Sequence, residues 1–409
     1  MIYLPCFDEE REKVTQFTYA DGQDLCVFDG ERTVKYTSGY VENYKRNAEN
    51  SRRSTEWKKS GEGAIFRGDA TVYDTVKDTV EVSIGGIYPC TESNWVVYSF
   101  TVNGTSGIYK KCLTDEKTPE THVINSNEFT FYGGMLNTTD NKLAVSAQRG
   151  SYSDIALFDV DTGDFKTLTD GDTLDVDPYI SPDERGIIYF SSRGAGWDSK
   201  GNLVKFSPAS ICRLDLNAMT VDEIVSSPKY SYFKPIRHGG KLYAIKAPVK
   251  ERSGNPILEI ILIPWRILQG IASFINIFVT ATTGKGLTEG GPNPARGKDY
   301  DSKYITVAGN LIDVNKQLKK NASKRDTDYG FIPKSWQLVE LDSGNVIKSG
   351  IGDFDIAEDG TIIATNGKRI FAIKDGKCKK VCNAEFCIKV NCRHGSTAAT
   401  TSPDEPFDF

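Results

Sequence analysis

Residues 177–193 read DPYISPDERGIIYFSSR, and residues 134–149 read GMLNTTDNKLAVSAQR. Both run from a polar turn into an apolar strand, and the turn residues Asp140 and Asp183 lie 43 positions apart. A period in the forties, with several short strands in each period, is the sequence pattern of blades set around an axis. Such a scaffold does its work through its loops, so the pattern fixes an architecture and leaves the activity open.

The same order recurs outward from these two stretches. Ala20-Asp21-Gly22 precedes DLCVFDG, Glu92-Ser93-Asn94 precedes WVVYSF, and Glu358-Asp359-Gly360 precedes TIIATNG. A sixth unit is broken, with KLYAIKAP at 241–248 separated from SWQLVELDSGNVIKSG at 335–350. The strands are rich in Val, Ile, Phe and Tyr, which suit a pleated, half-buried surface. The expectation is an all-β chain, a six-bladed β-propeller with a helical insertion in one blade. Residues 1–395 would form the single propeller domain, 251–333 the insertion, and 396–409 a disordered acidic tail. The N-terminal stretch and the strand near Phe386-Cys387-Ile388-Lys389-Val390 would share a blade and close the ring, leaving no open sheet edge between first and last blades.

These units resemble the TolB-type (PD40, WD40-like) repeats of bacterial six-bladed propellers, above all in SPDERGIIYFSSR and DVDTGDFKTLTD. The resemblance covers roughly residues 85–380, with 251–333 as an interruption. GNLID and IPKSW are similar to segments of bacterial propellers that carry a hydrophobic helical insertion. The resemblance implies a fold and almost nothing about activity. The secretory signal and additional domain expected of a periplasmic TolB are not visible, nor is a C-terminal hydrolase domain of the prolyl-oligopeptidase kind.

Composition narrows the function classes. Hydrophobic residues make up 39% and charged residues 26%, as in an ordinary globular protein, and the formal net charge is −5. An acidic balance of this kind argues against wrapping a nucleic-acid backbone. Met1-Ile2-Tyr3-Leu4-Pro5 runs into Asp8-Glu9-Glu10 where a signal peptide would be apolar, so a cytoplasmic protein with nine reduced cysteines is expected.

The insertion holds the candidate functional residues. ILEIILIPWRILQGIASFINIFV, residues 257–279, is the most apolar run of the chain. Its polar positions Glu259, Arg266, Gln269, Ser273, Asn276 and Thr280 fall on one narrow stripe of a helix, with Pro264 suited to a first turn. Glu, Arg and an early Pro argue against a membrane span. A partner-docking or interfacial helix accounts for the wide apolar arc, and a helix capping its own propeller is the alternative. The partner-binding residues are therefore expected to be Trp265, Arg266, Ile267, Ile271, Phe274, Ile277 and Phe278. Trp197, in the corresponding loop of the neighbouring unit, would join them. A protein partner is expected, with a membrane surface as the second option and peripheral membrane association following from it. Further along, YITVAGNLIDVNKQLKKNASKR suggests a short strand and then a basic helix with Leu311, Ile312, Val314 and Leu318 as its apolar positions.

Other motifs carry less. His122, His238 and His394 show no metal-ligand spacing, and no GxSxG elbow occurs. Cys378, Cys382, Cys387 and Cys392 lack a CxxC knuckle and read as packed thiols rather than a zinc site. Asp159-Val160-Asp161-Thr162-Gly163-Asp164 reads as a hairpin turn rather than a calcium loop. The cluster Asp170, Asp172, Asp175 and Asp177 reads as a loop between blades. No catalytic residue, metal or cofactor is assigned. The expected function is a non-enzymatic scaffold for protein–protein or membrane-surface assembly, with an enzyme or small-ligand binder using the axial pocket as the alternative.

Overall fold

The computed structural model describes residues 16–56, 82–88, 95–102, 105–113, 118–137, 141–150, 152–197, 203–249, 304–307, 310–322 and 327–392. Most of these residues are in strands, and most of the strands pair as antiparallel four-membered meanders. β1 (Phe17–Asp21), β2 (Asp24–Phe28) and β3 (Thr33–Tyr36) form the first with the last strand, β27 (Cys387–Cys392). β4 (Val82–Tyr88), β5 (Trp95–Val102), β6 (Thr105–Cys112) and β7 (Thr121–Ser126) form the second.

β8 (Thr130–Asn137), β9 (Lys142–Arg149), β10 (Tyr152–Asp159) and β11 (Phe165–Thr167) form the third. β12 (Thr173–Ile180), β13 (Ile187–Trp197), β15 (Ser210–Asp215) and β16 (Thr220–Val225) form the fourth, with β14 (Leu203–Phe206) paired to the far end of β13. Among the described residues the strand ladders of these two meanders meet at a single pair, Ser153–Leu174. β17 (Tyr230–His238), β18 (Lys241–Pro248), β21 (Gln337–Glu340) and β22 (Val346–Ser349) form the fifth. β23 (Asp353–Ile356), β24 (Ile362–Thr365), β25 (Arg369–Lys374) and β26 (Lys377–Asn383) form the sixth.

β4, β8, β12, β17, β23 and β27 touch in that order, and β27 also touches β4. β27 completes the sheet begun by the N-terminal β1, with Phe17 opposite Cys392 and Tyr19 opposite Val390. The sheets pack face to face through apolar layers, for example Phe131, Leu143, Val145 and Phe158 against Tyr88, Val97 and Ile108. Burial on both faces explains why strands such as Lys142–Arg149 run apolar without strict alternation.

A buried hydroxyl on the second strand stitches successive sheets together. Ser99 Oγ donates to the Phe131 carbonyl at 3.1 Å, Ser146 Oγ to Gly133 at 3.1 Å, Ser191 Oγ to Tyr232 at 2.9 Å and Thr365 Oγ1 to Cys387 at 3.3 Å. The first, third and fourth of these acceptors lie in the first strand of the following sheet. Ser146 reaches that strand as an acceptor instead, from the Asp177 N–H at 3.0 Å.

Among the described residues two helices accompany the strands. α1 (Gly39–Glu56) is polar over most of its length and seats its first turns through Val41, Tyr40 and Tyr44 on the second sheet. Lacking an apolar period, it was not anticipated in the sequence. The second half of the insertion begins with a hairpin of β19 (Tyr304–Val307) and β20 (Asn310–Asp313). α2 (Val314–Asn321) follows, capped by Asp313 accepting from the Lys316 N–H. Leu311 and Ile312, expected in a helix, therefore belong to a strand, because the Asp313 cap starts the helix one residue later. Ile305, Val307, Ile312, Val314, Phe331, Ile332 and Trp336 are buried with Phe233, Ile245, Leu338 and Phe354 of the fifth and sixth sheets.

Candidate functional site

Where the first strands converge, four of them break register at matching places. The irregularities fall between Ile84 and Gly86, Phe131 and Gly134, Val176 and Tyr179, and Phe233 and Ile236. In β12 and β17 the bulged pairs are Asp177-Pro178 and Lys234-Pro235, and proline cannot donate to the ladder. Asp177 and Lys234 both take left-handed backbone conformations, with φ of 53° and 55°. A bulge of this kind re-aims a side chain, at a cost of about 1–2 kcal/mol for a non-glycine residue.

The re-aimed side chains meet other charges. Lys234 Nζ lies 3.2 Å from Asp353 Oδ1, and Lys389 Nζ lies 3.4 Å from Asp177 Oδ1. Asp353 Oδ2 accepts from the Val390 N–H at 2.8 Å, and Asp355 Oδ2 accepts from the Cys392 N–H at 2.7 Å. Burial works against the Lys234 ammonium, but Asp353, Asp177 and Asp355 together raise its pKa above the ordinary lysine value. Burial raises the Asp353 carboxyl, and Lys234 and Lys389 offset this only in part. Gly133 makes room for the group, since a Cβ there would stand 2.6 Å from Asp177 Oδ1.

Asp177, Tyr179, Lys234, Asp355 and Asn391 line a cleft of about 30 Å³, room for one or two waters. Metabolite sites occupy roughly 300–1,000 Å³. This charged group therefore works as a lock between first strands more readily than as a substrate pocket. The expectation that Asp175 and Asp177 belong to a loop is corrected, because both lie in β12. Pro178 and the flanking turn residues had masked that strand.

The remaining candidates fall at the periphery. Trp197 closes β13, at the extension that pairs with β14. The insertion leaves after β18 and returns before β21, so it links second to third strand of its sheet, as the β13–β14 extension does in its own. In equivalent meanders these connections lie at the same end. Trp265, Arg266, Ile267, Ile271, Phe274, Ile277 and Phe278 lie outside the described residues. No described helix is long and apolar enough to cross a membrane.

Cys387 and Cys392 are buried on β27, with burial raising both thiols, while Cys378 is exposed on β26. Among the described residues no three His, Cys, Asp or Glu side chains are grouped to hold a metal ion. The Asp159 turn is a hairpin in which Asp159 Oδ1 accepts from the Asp161 and Thr162 N–H groups. Sequence reasoning missed the axial charges Lys234, Asp353, Asp355 and Lys389. For Lys234 the signal available was a charged residue before proline in FKP, since proline interrupts a strand ladder; the other three had none.

No protein-family model matches the chain, and no curated protein does. Among solved structures it is similar to TolB from Acinetobacter baumannii, at 11% identity and a TM-score of 0.43, over 92% of this chain and 64% of that one. A protein from Agrobacterium tumefaciens described as a TolB matches at 16% identity and a TM-score of 0.37, over 58% of this chain and 68% of that one. An oligogalacturonate lyase in complex with manganese matches at 10% identity and a TM-score of 0.38, over 74% and 67%. The neighbours are TolB and other propeller proteins, and the likeness is one of fold alone.

Proposed function

We propose that the six meanders are the blades of a closed propeller that serves as a non-enzymatic assembly platform. Its anchor is the apolar segment 257–279. The observation carrying this reading is how the insertion is mounted. The chain leaves the fifth sheet after Pro248, and its return is fixed by Ile305, Val307, Ile312 and Val314 buried in the core of that sheet. The described chain on either side of residues 250–303 thus belongs to one sheet and its core, which supports reading the intervening apolar run as mounted there.

In this proposal the segment folds as a helix and buries Trp265, Ile267, Ile271, Phe274, Ile277 and Phe278 in a protein partner. Arg266 and Trp197 sit at the rim. Each apolar side chain removed from water contributes about 1.5–3 kcal/mol, enough for a stable complex from a few anchors. The partner belongs to the same cytoplasmic compartment, and an apolar helix beside the lysines of α2 extends the reading to a membrane surface.

The test compares the protein with a variant lacking 257–283 and with a Trp265→Asp, Phe274→Asp double variant. Co-purifying proteins are taken separately from soluble and membrane fractions of the native cells, and circular dichroism follows the strands. A protein partner lost from both folded variants supports the platform. Loss of membrane association alone moves the anchor from protein to lipid. Identical profiles from folded variants, or unfolding of the double variant, would make the segment part of the propeller's own core. A search for small molecules that raise the melting temperature would then turn to the axis.

A further inference from the structure

The outer strand of the fourth sheet differs from the other five. β3 carries Lys35, β11 Lys166, β22 Lys348 and β26 three lysines, which discourage another strand from adding to an edge. β7 has no lysine, but Val123 and Ile124 are half-buried against the third sheet. β16 reads TVDEIV and pairs only with β15 among the described residues. Its charges are Asp222 and Glu223, both exposed.

Apolar exposure is concentrated on the same strand and the turn that leads into it. Met219 is 63% exposed, Val221 52% and Ile224 41%, three of the five large hydrophobic side chains exposed among the described residues. Met219 sits at the tip of the β15–β16 hairpin with φ at 53°, where Asn or Gly would be the unstrained choice. An exposed methionine in a left-handed conformation adds nothing to the packing of its own sheet. Strain of that kind points toward use.

We infer that β16, with Met219 at its head, is a docking edge for an extended segment of a partner protein that alternates apolar and basic residues. The segment would add as a fifth strand, its main chain pairing with the open edge of Thr220–Val225. Its apolar side chains would lie on the face of the strand that carries Val221. Its lysines or arginines would lie on the opposite face, beside Asp222, whose carboxylate is 4.0 Å from Arg213. Charge selects this occupant: a second copy of β16 would set acidic residues against acidic residues, whereas a basic strand is complementary.

The test uses the full chain and two fluorescein-labelled seven-residue peptides, one alternating valine with lysine, the other valine with glutamate. Fluorescence anisotropy should show the lysine peptide binding at least tenfold more tightly, with affinity falling as salt rises. N-methylation of alternate peptide nitrogens should abolish binding, because the main chain carries the contact. Val221→Lys should weaken binding at least tenfold, and Asp222→Lys should erase the preference between the peptides. Both substitutions are at exposed positions, and unchanged melting temperatures verify the fold; if one variant unfolds, the other and the N-methylated peptide decide. No binding of the lysine peptide at millimolar concentration, equal binding of both peptides, or indifference to both substitutions would overturn the inference. Because β16 is remote in sequence from 257–279, the deletion described above should leave this binding intact.

Discussion

The Asp353 carboxylate accepts a hydrogen bond from the main-chain N–H of Val390 at 2.8 Å. This bond joins the first strand of the sixth sheet to the strand that closes the first. β27 is held on one side by its main-chain ladder to β1, and on the other by carboxylates, Asp353 to Val390 and Asp355 to Cys392. Two strands that converge at an axis cannot form a full ladder with each other. Side-chain oxygens meet the inward N–H groups instead, and a buried donor left without a partner would be costly.

Removing that carboxylate should therefore be expensive. Asp353→Ala takes from the buried Lys234 ammonium its ion-pair carboxylate and from the Val390 N–H its acceptor, and a loss of about 3–5 kcal/mol in urea unfolding is expected. Asp353→Asn keeps an acceptor for Val390 and should cost less. A Lys234→Met, Asp353→Leu double variant should recover part of the alanine loss, since it removes both charges together. If Asp353→Ala unfolds at the wild-type urea midpoint, the axial lock is not structural.

The second-strand hydroxyls allow a comparison within one protein. Ser146→Ala strips a donor from the Gly133 carbonyl and an acceptor from the Asp177 N–H, both buried. Ser191→Ala affects only the Tyr232 carbonyl, which has a second lone pair for other donors. Ser146→Ala should cost about 1–3 kcal/mol and exceed Ser191→Ala, measured by the same unfolding transitions. Equal effects would mean that the Asp177 N–H finds another acceptor.

The thiols give a prediction that separates packing from metal binding. Native protein treated with iodoacetamide and read by mass spectrometry should be labelled at exposed Cys378. Cys26, Cys387 and Cys392 are buried, with burial raising their thiols, to about 12 for Cys26. The thiolate is the nucleophile, so these three should stay unlabelled until the chain is denatured. Rapid labelling of Cys387 in the native state would show that β27 detaches from its sheet.

The strands were legible because their apolar runs are local. KLAVSAQR and GIIYFSSR each fix a second strand, and the pairing of the N-terminal strand with Cys387–Cys392 follows from the same count. The serines in those runs were in view as well, but their role depends on what the next sheet brings opposite, a non-local fact. Lys234 and Asp353, 119 positions apart in the sequence, meet only once the sheets converge, so no spacing rule flags them. α1 escaped because a polar helix seated by its first turns has no apolar period. Asp177 was misplaced in a loop because proline at 178 is a turn signal that here marks a bulge.

Asp154 supplies a pH-dependent test. It lies in β10, the third strand of its sheet, and its Oδ1 is buried without a hydrogen-bond partner among the described residues. Burial, then Asp175 and Asp170, push its carboxyl from the usual 3.8 up to about 6, against the pull of Arg149. A folded-state value above the unfolded one means that the native protein binds more protons between those limits. The contribution of Asp154 to stability is therefore present below about pH 3.8 and is lost as pH rises toward 6. Asp154→Asn removes the ionisation altogether. The variant should match wild type near pH 4 and be more stable by about 1 kcal/mol at pH 7. That figure lies well under the full shift because the side chain is only half-buried and water screens part of the repulsion. Melting temperatures at pH 4, 5, 6 and 7 check this. A difference between the proteins that does not change with pH would place the cause in the lost carboxylate contacts and not in its charge.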